Sequence, residues 1–137
     1  AEHQALHAVR LIAGKADAPY DPPPMPGCVY GSVETMRVGP TAEELKAQGK
    51  EVTETKSMLA ANAISQSHGA SHGFVKVLWV DGRVAGVTAL GHGVSHLAGL
   101  AAVIVGQAWR PEDAEQMIFA HPTLEEALKA ALEGPSS

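Results

Sequence analysis

The sequence predicts an α+β domain in which a mainly antiparallel sheet is covered on one face by helices. Two β-rich runs, 73–80 and 83–90, flank Asp81-Gly82, a pair that strongly favours the tight turn of a hairpin. Helical patterns follow this hairpin instead of separating its strands, which is the order typical of α+β proteins. The 137 residues are 45% hydrophobic, enough to form one domain with its own core.

The first 26 residues predict the end of a helix and then a linker. Apolar residues at the start of the chain have helical spacing: Ala5, Ala8, Val9 and Ile12. Gly14 would end this helix, and the prolines of 22–26 exclude helix and central strand there. We therefore divide the chain into 1–14, the helix end of a preceding domain that lies outside this sequence; 15–26, a linker; and 27–134, the main domain.

Two strands and one helix are predicted between the linker and the hairpin. Residues 28–32 have the composition of a short strand, and 51–59 alternate weakly between polar and apolar. Thr41 and Glu44 have the spacing of a capping box, which predicts a helix that begins there and ends near Gly49.

Three helices are predicted after the hairpin. Ser95 would cap an apolar helix that continues to about Gln107. Pro111 suits the first position of a second helix, because its missing N–H is not needed there. Thr123 would open a third helix close to the C-terminus.

Composition limits the compartment and the partners. The net charge of −5, without a basic cluster, argues against a nucleic-acid partner. The longest apolar run, 97–105, is shorter than the roughly 20 residues of a membrane-spanning helix. Cys28 is the single cysteine, so the chain has no disulfide framework and suits a reducing cytoplasm. We expect a cytoplasmic protein that binds neither nucleic acid nor membrane.

His121 is the strongest candidate for catalysis. It stands before Pro122 and a predicted helix, with Glu126 five positions later. A neutral imidazole is the usual proton-transfer group near pH 7, and a carboxylate on its other nitrogen orients the ring. Glu126 is also the third residue of a helix capped by Thr123, so a capping box explains it without catalysis. Both roles are open, and one carboxylate could serve both.

Four other histidines suggest a metal site. His68 and His72, like His92 and His96, have the i,i+4 spacing of metal ligands on a helix. Neighbouring glycines oppose a helix at both pairs: Gly69, Gly73, Gly91 and Gly93. We therefore expect no metal, and keep a small histidine-rich metal-binding domain as an alternative.

Several stretches occur in the order of a known family: 25–30 with Glu34 and 38–39, then 41–44, 60–62, 73–77, and 120–124 with Glu126. Together, residues 25–133 resemble the C-terminal dimerisation (interface) domain of the FAD-dependent pyridine-nucleotide disulfide oxidoreductases, most of all the dihydrolipoamide dehydrogenase branch. The first helix resembles the one that finishes the FAD domain of this family.

The resemblance implies a homodimer whose active site forms across the subunit interface. His121 would be the acid–base for a dithiol substrate such as dihydrolipoamide, facing the flavin-linked redox disulfide of the partner subunit, and Glu126 would orient its ring. The fold would be the dimerisation-domain fold of FAD/NAD-linked reductases. FAD and NAD would belong to the full-length enzyme, in FAD and NAD domains missing from this chain, so the chain alone would bind no cofactor and be inactive.

Some positions depart from the family pattern. Gly31 and Val33 stand where the family has threonine and proline, and Phe119 stands where many relatives have a second histidine. His96 replaces a glutamate at the start of a helix. These changes leave open a second alternative, a dimerisation module from a divergent member of the family with another substrate.

Overall fold

The computed structural model describes residues 1–134. Within them lie five strands: β1 Gly27–Tyr30, β2 Glu34–Val38, β3 Thr53–Met58, β4 Gly73–Val80 and β5 Arg83–Gly91. The same part of the chain forms six α-helices: α1 Glu2–Ile12, α2 Ala42–Ala47, α3 Ala63–Ser67, α4 Ala98–Gly106, α5 Pro111–Glu115 and α6 Glu125–Leu132. The strands form one antiparallel sheet in the order β1-β2-β5-β4-β3. The α+β prediction is confirmed.

The hairpin of β4 and β5 is the longest pairing of the sheet. Asp81 and Gly82 form its turn with φ angles of 52° and 70°. Positive φ at both central residues is what a type I′ turn requires, and this turn matches the twist of the strands that it joins. The Asp-Gly pair therefore forms the hairpin that the sequence predicts.

Strand β2 was not predicted from the sequence. Met36 and Val38 are fully buried, whereas Arg37 between them is exposed. Only five residues alternate, and Glu34, Thr35 and Arg37 make the segment polar. The strand forms because β1 and β5 pair with it on both sides.

One face of the sheet carries the core. α4 packs on β2 and β5, and α6 packs on β3 and β4. The core combines inward side chains of the strands with those of the two helices and of Leu97 just before α4: Met36, Val38, Val75, Val77, Trp79, Val87, Ala89, Leu97, Ala101, Ile104, Leu128, Ala131 and Leu132. Across residues 1–134, no helix has the length and the hydropathy needed to cross a membrane.

The N-terminal helix forms as predicted but packs little. α1 ends just before Gly14, which has a φ of 66°, and none of its residues is buried. Val9 is 61% exposed and Ile12 is 88% exposed. Residues 15–26 form no helix or strand. This pattern suits a helix that belongs to a preceding domain, and the division at 14 and 26 stays a prediction.

The helix starts at Thr41 and Pro111 follow the sequence, whereas the start expected at Ser95 does not. Thr41 and Glu44 form the complete capping box of α2, and Pro111 is the first residue of α5. Ser95, however, caps no helix: a 3₁₀ turn, Val94–Leu97, comes before α4, and the Ser95 hydroxyl donates to Glu34 Oε2 at 2.8 Å. The prediction for Ser95 was wrong because Ser95 lies within this 3₁₀ turn, where its N–H and hydroxyl both donate to a carboxylate of β2.

Candidate active site

His121 lies in the turn between α5 and α6, and Glu126 lies in the first turn of α6. The His121 side chain is 72% exposed, and the peptide bond between His121 and Pro122 is cis. His121 Nδ1 lies 3.0 Å from Glu126 Oε1 and 3.1 Å from Oε2. The structure thus brings the two predicted residues together.

The same carboxylate also accepts a backbone hydrogen bond. Thr123 donates its N–H to Glu126 Oε2 at 3.0 Å, which is one half of a capping box. The other half is absent: α6 has no side-chain cap, and the Thr123 hydroxyl instead donates to the Ala120 carbonyl at 2.7 Å. α6 begins at Glu125 without a side-chain cap, so the prediction that Thr123 caps this helix was wrong.

Charge decides which nitrogen of His121 carries the proton. The backbone N–H of Thr123 and the imidazole of His121 hold the pKa of the Glu126 carboxyl below its ordinary value of 4.5. An ionised carboxylate only accepts hydrogen bonds, so Nδ1 of His121 is the donor. In the neutral imidazole the lone pair is then on Nε2, which has no hydrogen-bond partner within residues 1–134. This nitrogen can accept a proton from a group outside the domain.

Helix α6 is held firmly on the sheet. Leu128, Ala131 and Leu132 are fully buried. The Thr55 hydroxyl donates to the Ala131 carbonyl and accepts from Trp79 Nε1 at 2.7 Å. These contacts hold the second half of α6 on β3 and β4, and the helix that they fix carries Glu126 in its first turn.

Asn62 is a residue of this region whose contacts the sequence did not reveal. Its amide Nδ2 donates to the Thr123 carbonyl at 2.9 Å, and its Oδ1 accepts from the backbone and hydroxyl of Ser65 at the start of α3. An asparagine at a helix start is a common sequence pattern. The contact with Thr123 joins residues 61 positions apart and leaves no local pattern.

The surface beside His121 is open. A cleft of about 160 Å³ is lined by Asn62, His121 and Glu126 together with small side chains of β3, α3 and α6. This volume is below the roughly 300–1,000 Å³ of sites that enclose small molecules. A substrate bound at His121 would therefore need a second surface to cover it.

The pairs His68/His72 and His92/His96 do not form the helical metal-ligand pairs that their spacing suggested. His68 follows α3, His92 lies in a turn and His96 lies in a 3₁₀ turn. The ring centroids of His68 and His92 are 6.3 Å apart, and the two rings meet edge to face. Through residue 134 no three side chains of histidine, cysteine, aspartate or glutamate lie close enough to hold one metal ion.

The described residues also lack the usual dinucleotide cradle. FAD and NAD commonly bind where a glycine-rich turn joins a parallel strand to a helix. Every strand pairing between residues 27 and 91 is antiparallel, so this part of the chain offers no such turn. Residues 27–91 therefore do not fit FAD or NAD at a glycine-rich turn of this kind.

Similar solved structures define the class of fold. The chain superimposes on LpdA from Mycobacterium tuberculosis with a TM-score of 0.79 and 22% identity, over 91% of this chain and 28% of that one. It superimposes on the HOCl-induced flavoprotein disulfide reductase RclA from Escherichia coli with a TM-score of 0.81 and 18% identity, over 94% and 31%. The fold is therefore that of a domain of flavoprotein disulfide reductases.

Sequence comparison then identifies the family. The family model of the pyridine nucleotide-disulphide oxidoreductase dimerisation domain matches residues 25–132, and the chain belongs to this family. It is 36% identical over 136 residues to dihydrolipoyl dehydrogenase of Bacillus subtilis and 33% identical over 133 residues to the mitochondrial enzyme of Canis lupus familiaris. These matches cover 96% of this chain but only 28% and 26% of the relatives. The resemblance found in the sequence is confirmed.

Proposed function

We propose that this chain is the C-terminal homodimerisation domain of a dihydrolipoamide dehydrogenase-like flavoenzyme and supplies the His121–Glu126 pair to the redox-disulfide site of the partner subunit. The observation that supports this most is an exposed imidazole whose Nδ1 faces an ionised carboxylate at 3.0 Å. Such a pair can transfer protons but has no reacting group beside it within residues 1–134. The reacting group would come from the partner.

The chemistry assigned to His121 is proton transfer to and from sulfur. Nε2 accepts the proton of a substrate thiol, and the resulting thiolate attacks one sulfur of the disulfide. A substrate–enzyme S–S bond forms, the enzyme S–S bond breaks, and its electron pair stays on the departing sulfur as a second thiolate. Glu126 stabilises the imidazolium through Nδ1. FAD and NAD would be held by domains outside this chain.

Exposed apolar side chains support the homodimer. Ile118, three residues before His121, is 95% exposed, and Tyr30, Met25 and Val29 around β1 are 75%, 74% and 65% exposed. Large exposed apolar areas on a protein commonly mark a binding surface. In the proposed dimer a twin subunit covers them. The lone Cys28, which has no disulfide partner in the sequence, agrees with a reducing cytoplasm as the compartment.

Mixed dimers test whether His121 serves the partner subunit. One full-length subunit would carry His121→Gln, and the other would carry an inactivated redox disulfide. Each variant alone should be nearly inactive. After random reassociation, half of the dimers pair the two variants, and each of these has one complete site, so activity should return to about one quarter of the wild-type value.

Two results would contradict the proposal. If the mixture stays as inactive as its components although mixed dimers form, His121 acts within its own subunit. If His121→Gln alone keeps full activity, His121 is no acid–base. A mixture of two His121→Gln subunits that differ only in an affinity tag is the control, and it should regain nothing.

A divergent substrate is the second candidate function. Leghemoglobin reductase of Vigna unguiculata is 33% identical to this chain over 134 residues, so relatives of equal similarity carry another name. The dimerisation module and His121 would be retained, and the dithiol would differ. Measuring kcat/KM of the full-length enzyme for dihydrolipoamide and for other dithiols distinguishes the two candidate functions. If kcat/KM for another dithiol is far higher than that for dihydrolipoamide, the divergent member is favoured.

A further inference from the structure

We propose that Asn62 is a positioning residue for His121 and acts through the carbonyl of Thr123. This inference rests on the proposed role of His121 as the acid–base. Asn62 is only 6% exposed, lies at the start of α3 and lines the same cleft as His121. Its amide donates to the Thr123 carbonyl at 2.9 Å.

Thr123 is the residue through which the turn and the carboxylate are connected. Its N–H donates to Glu126 Oε2 at 3.0 Å, its hydroxyl donates to the Ala120 carbonyl at 2.7 Å, and its carbonyl accepts from Asn62. Three hydrogen bonds therefore hold this one residue in a turn that is otherwise exposed. A shift of Thr123 would change the distance between Glu126 and the imidazole.

The orientation of the Asn62 amide is determined by its other end. Oδ1 accepts from the Ser65 backbone N–H at 3.1 Å and from the Ser65 hydroxyl at 3.0 Å. Because these donors require the oxygen on that side, the NH₂ group must face Thr123. A buried amide that loses a partner costs free energy, so Asn62 cannot swing away. The result is a rigid connection from α3 to the catalytic turn.

A helix cap alone would not need this connection. Capping of α3 uses only the side-chain oxygen, a role that serine and aspartate perform as well as asparagine. The donated hydrogen bond goes instead to a residue 61 positions away, next to the His121–Glu126 pair. Capping and positioning can therefore be separated by substitution.

Two substitutions of Asn62 and one control separate these roles in the full-length enzyme. Asn62→Ser keeps a capping oxygen and removes the amide donor. Asn62→Asp is nearly isosteric, keeps the cap and replaces the donor by an acceptor. Ser65→Ala is the control, because it removes the hydroxyl on the other side of the same amide and leaves the contact with Thr123 intact.

We expect both Asn62 variants to lower kcat about tenfold with little change in KM, because small misplacement of a catalytic group is costly. Both should also change the shape of the pH profile of kcat/KM, whereas Ser65→Ala should do neither. Either Asn62 variant suffices if the other does not fold. The inference would be overturned if kcat is unchanged in all three variants and the Asn62 variants lose as much melting temperature as Ser65→Ala.

A double-mutant cycle distinguishes this inference from the proposed function. In a His121→Gln background, Asn62→Ser should cause no further loss of turnover, because the group that it positions is gone. The same tenfold loss in both backgrounds would show that Asn62 does not act through His121. Full activity of His121→Gln alone would instead refute the proposed function on which the inference rests.

Discussion

The carboxylate of Glu126 lies within 3.1 Å of His121 Nδ1 and accepts the Thr123 N–H at 3.0 Å with one of the same oxygens. A carboxylate has two oxygens and about four acceptor sites, so both contacts are satisfied together. The two roles that the sequence left open, orienting the imidazole and binding the helix start, are thus compatible in one residue. Substitutions can show which of them matters for turnover.

Glu126→Gln should reduce turnover of the full-length enzyme and leave its melting temperature nearly unchanged. Glutamine still accepts the Thr123 N–H through its amide oxygen, but it has no charge to stabilise an imidazolium. The loss should be clear but smaller than the loss of about 10² to 10⁴ expected for His121→Gln. Steady-state kinetics and calorimetry of the same samples measure both quantities.

Glu125→Gln is the matched control, because Glu125 is a carboxylate of the same helical turn outside the hydrogen bonds to His121 and Thr123. It should leave turnover unchanged. If Glu126→Gln also leaves turnover unchanged, the carboxylate only stabilises the helix start, and His121 is oriented by another group.

Glu34 should make the stability of the folded chain depend on pH. Hydrogen bonds from the Ser95 hydroxyl and backbone lower the pKa of the Glu34 carboxyl below its ordinary 4.5. Because the folded-state pKa is lowered, the stabilisation is fully present above the ordinary pKa and is lost as pH falls through the lower folded value. Glu34→Gln should therefore lower the melting temperature at neutral pH and have less effect at about pH 3.

Thermal melts of both proteins over this pH range measure the effect. Glu43→Gln on the exposed side of α2 is the control and should shift the melting temperature little at either pH. An equal shift for Glu34→Gln at both pH values would show that packing, and not charge, accounts for the contribution of Glu34.

The isolated 137-residue chain should self-associate. Obligate dimers commonly bury about 2,000 Å² or more, and we expect the exposed apolar residues around β1 and Ile118 to be among those that the twin subunit covers. Ile118→Asp should weaken the dimer, whereas Val9→Asp, at an apolar residue of α1 that is 61% exposed, should not. Sedimentation velocity at micromolar concentrations measures this, and a wholly monomeric chain would count against it.

The purified chain should be colourless, and the full-length enzyme should be yellow from bound FAD. The antiparallel sheet of residues 27–91 has no glycine-rich turn between a parallel strand and a helix, which is where a pyrophosphate would bind. A visible absorption spectrum after desalting is the measurement. Stoichiometric flavin on the 137-residue chain would show that these residues bind it in another way.

The sequence by itself determined the features that depend on neighbouring residues. Asp81-Gly82 forms its turn because the two residues tolerate positive φ, and Thr41 and Glu44 form their capping box because three positions separate them. The approach of His121 to Glu126 is local in the same sense, since five positions span one turn and the start of a helix. Such contacts leave a pattern that can be read along the chain.

The tertiary structure decided the features that join distant residues. Strand β2 forms because two neighbours supply its hydrogen bonds, and Ser95 lies in a 3₁₀ turn and donates to Glu34, 61 positions earlier, instead of capping α4. Asn62 reaches Thr123 across the same separation of 61 residues. The physical reason is that periodicity and capping reflect the few residues on either side of a position, whereas the partner of a buried polar group is set by how the sheet and helices pack.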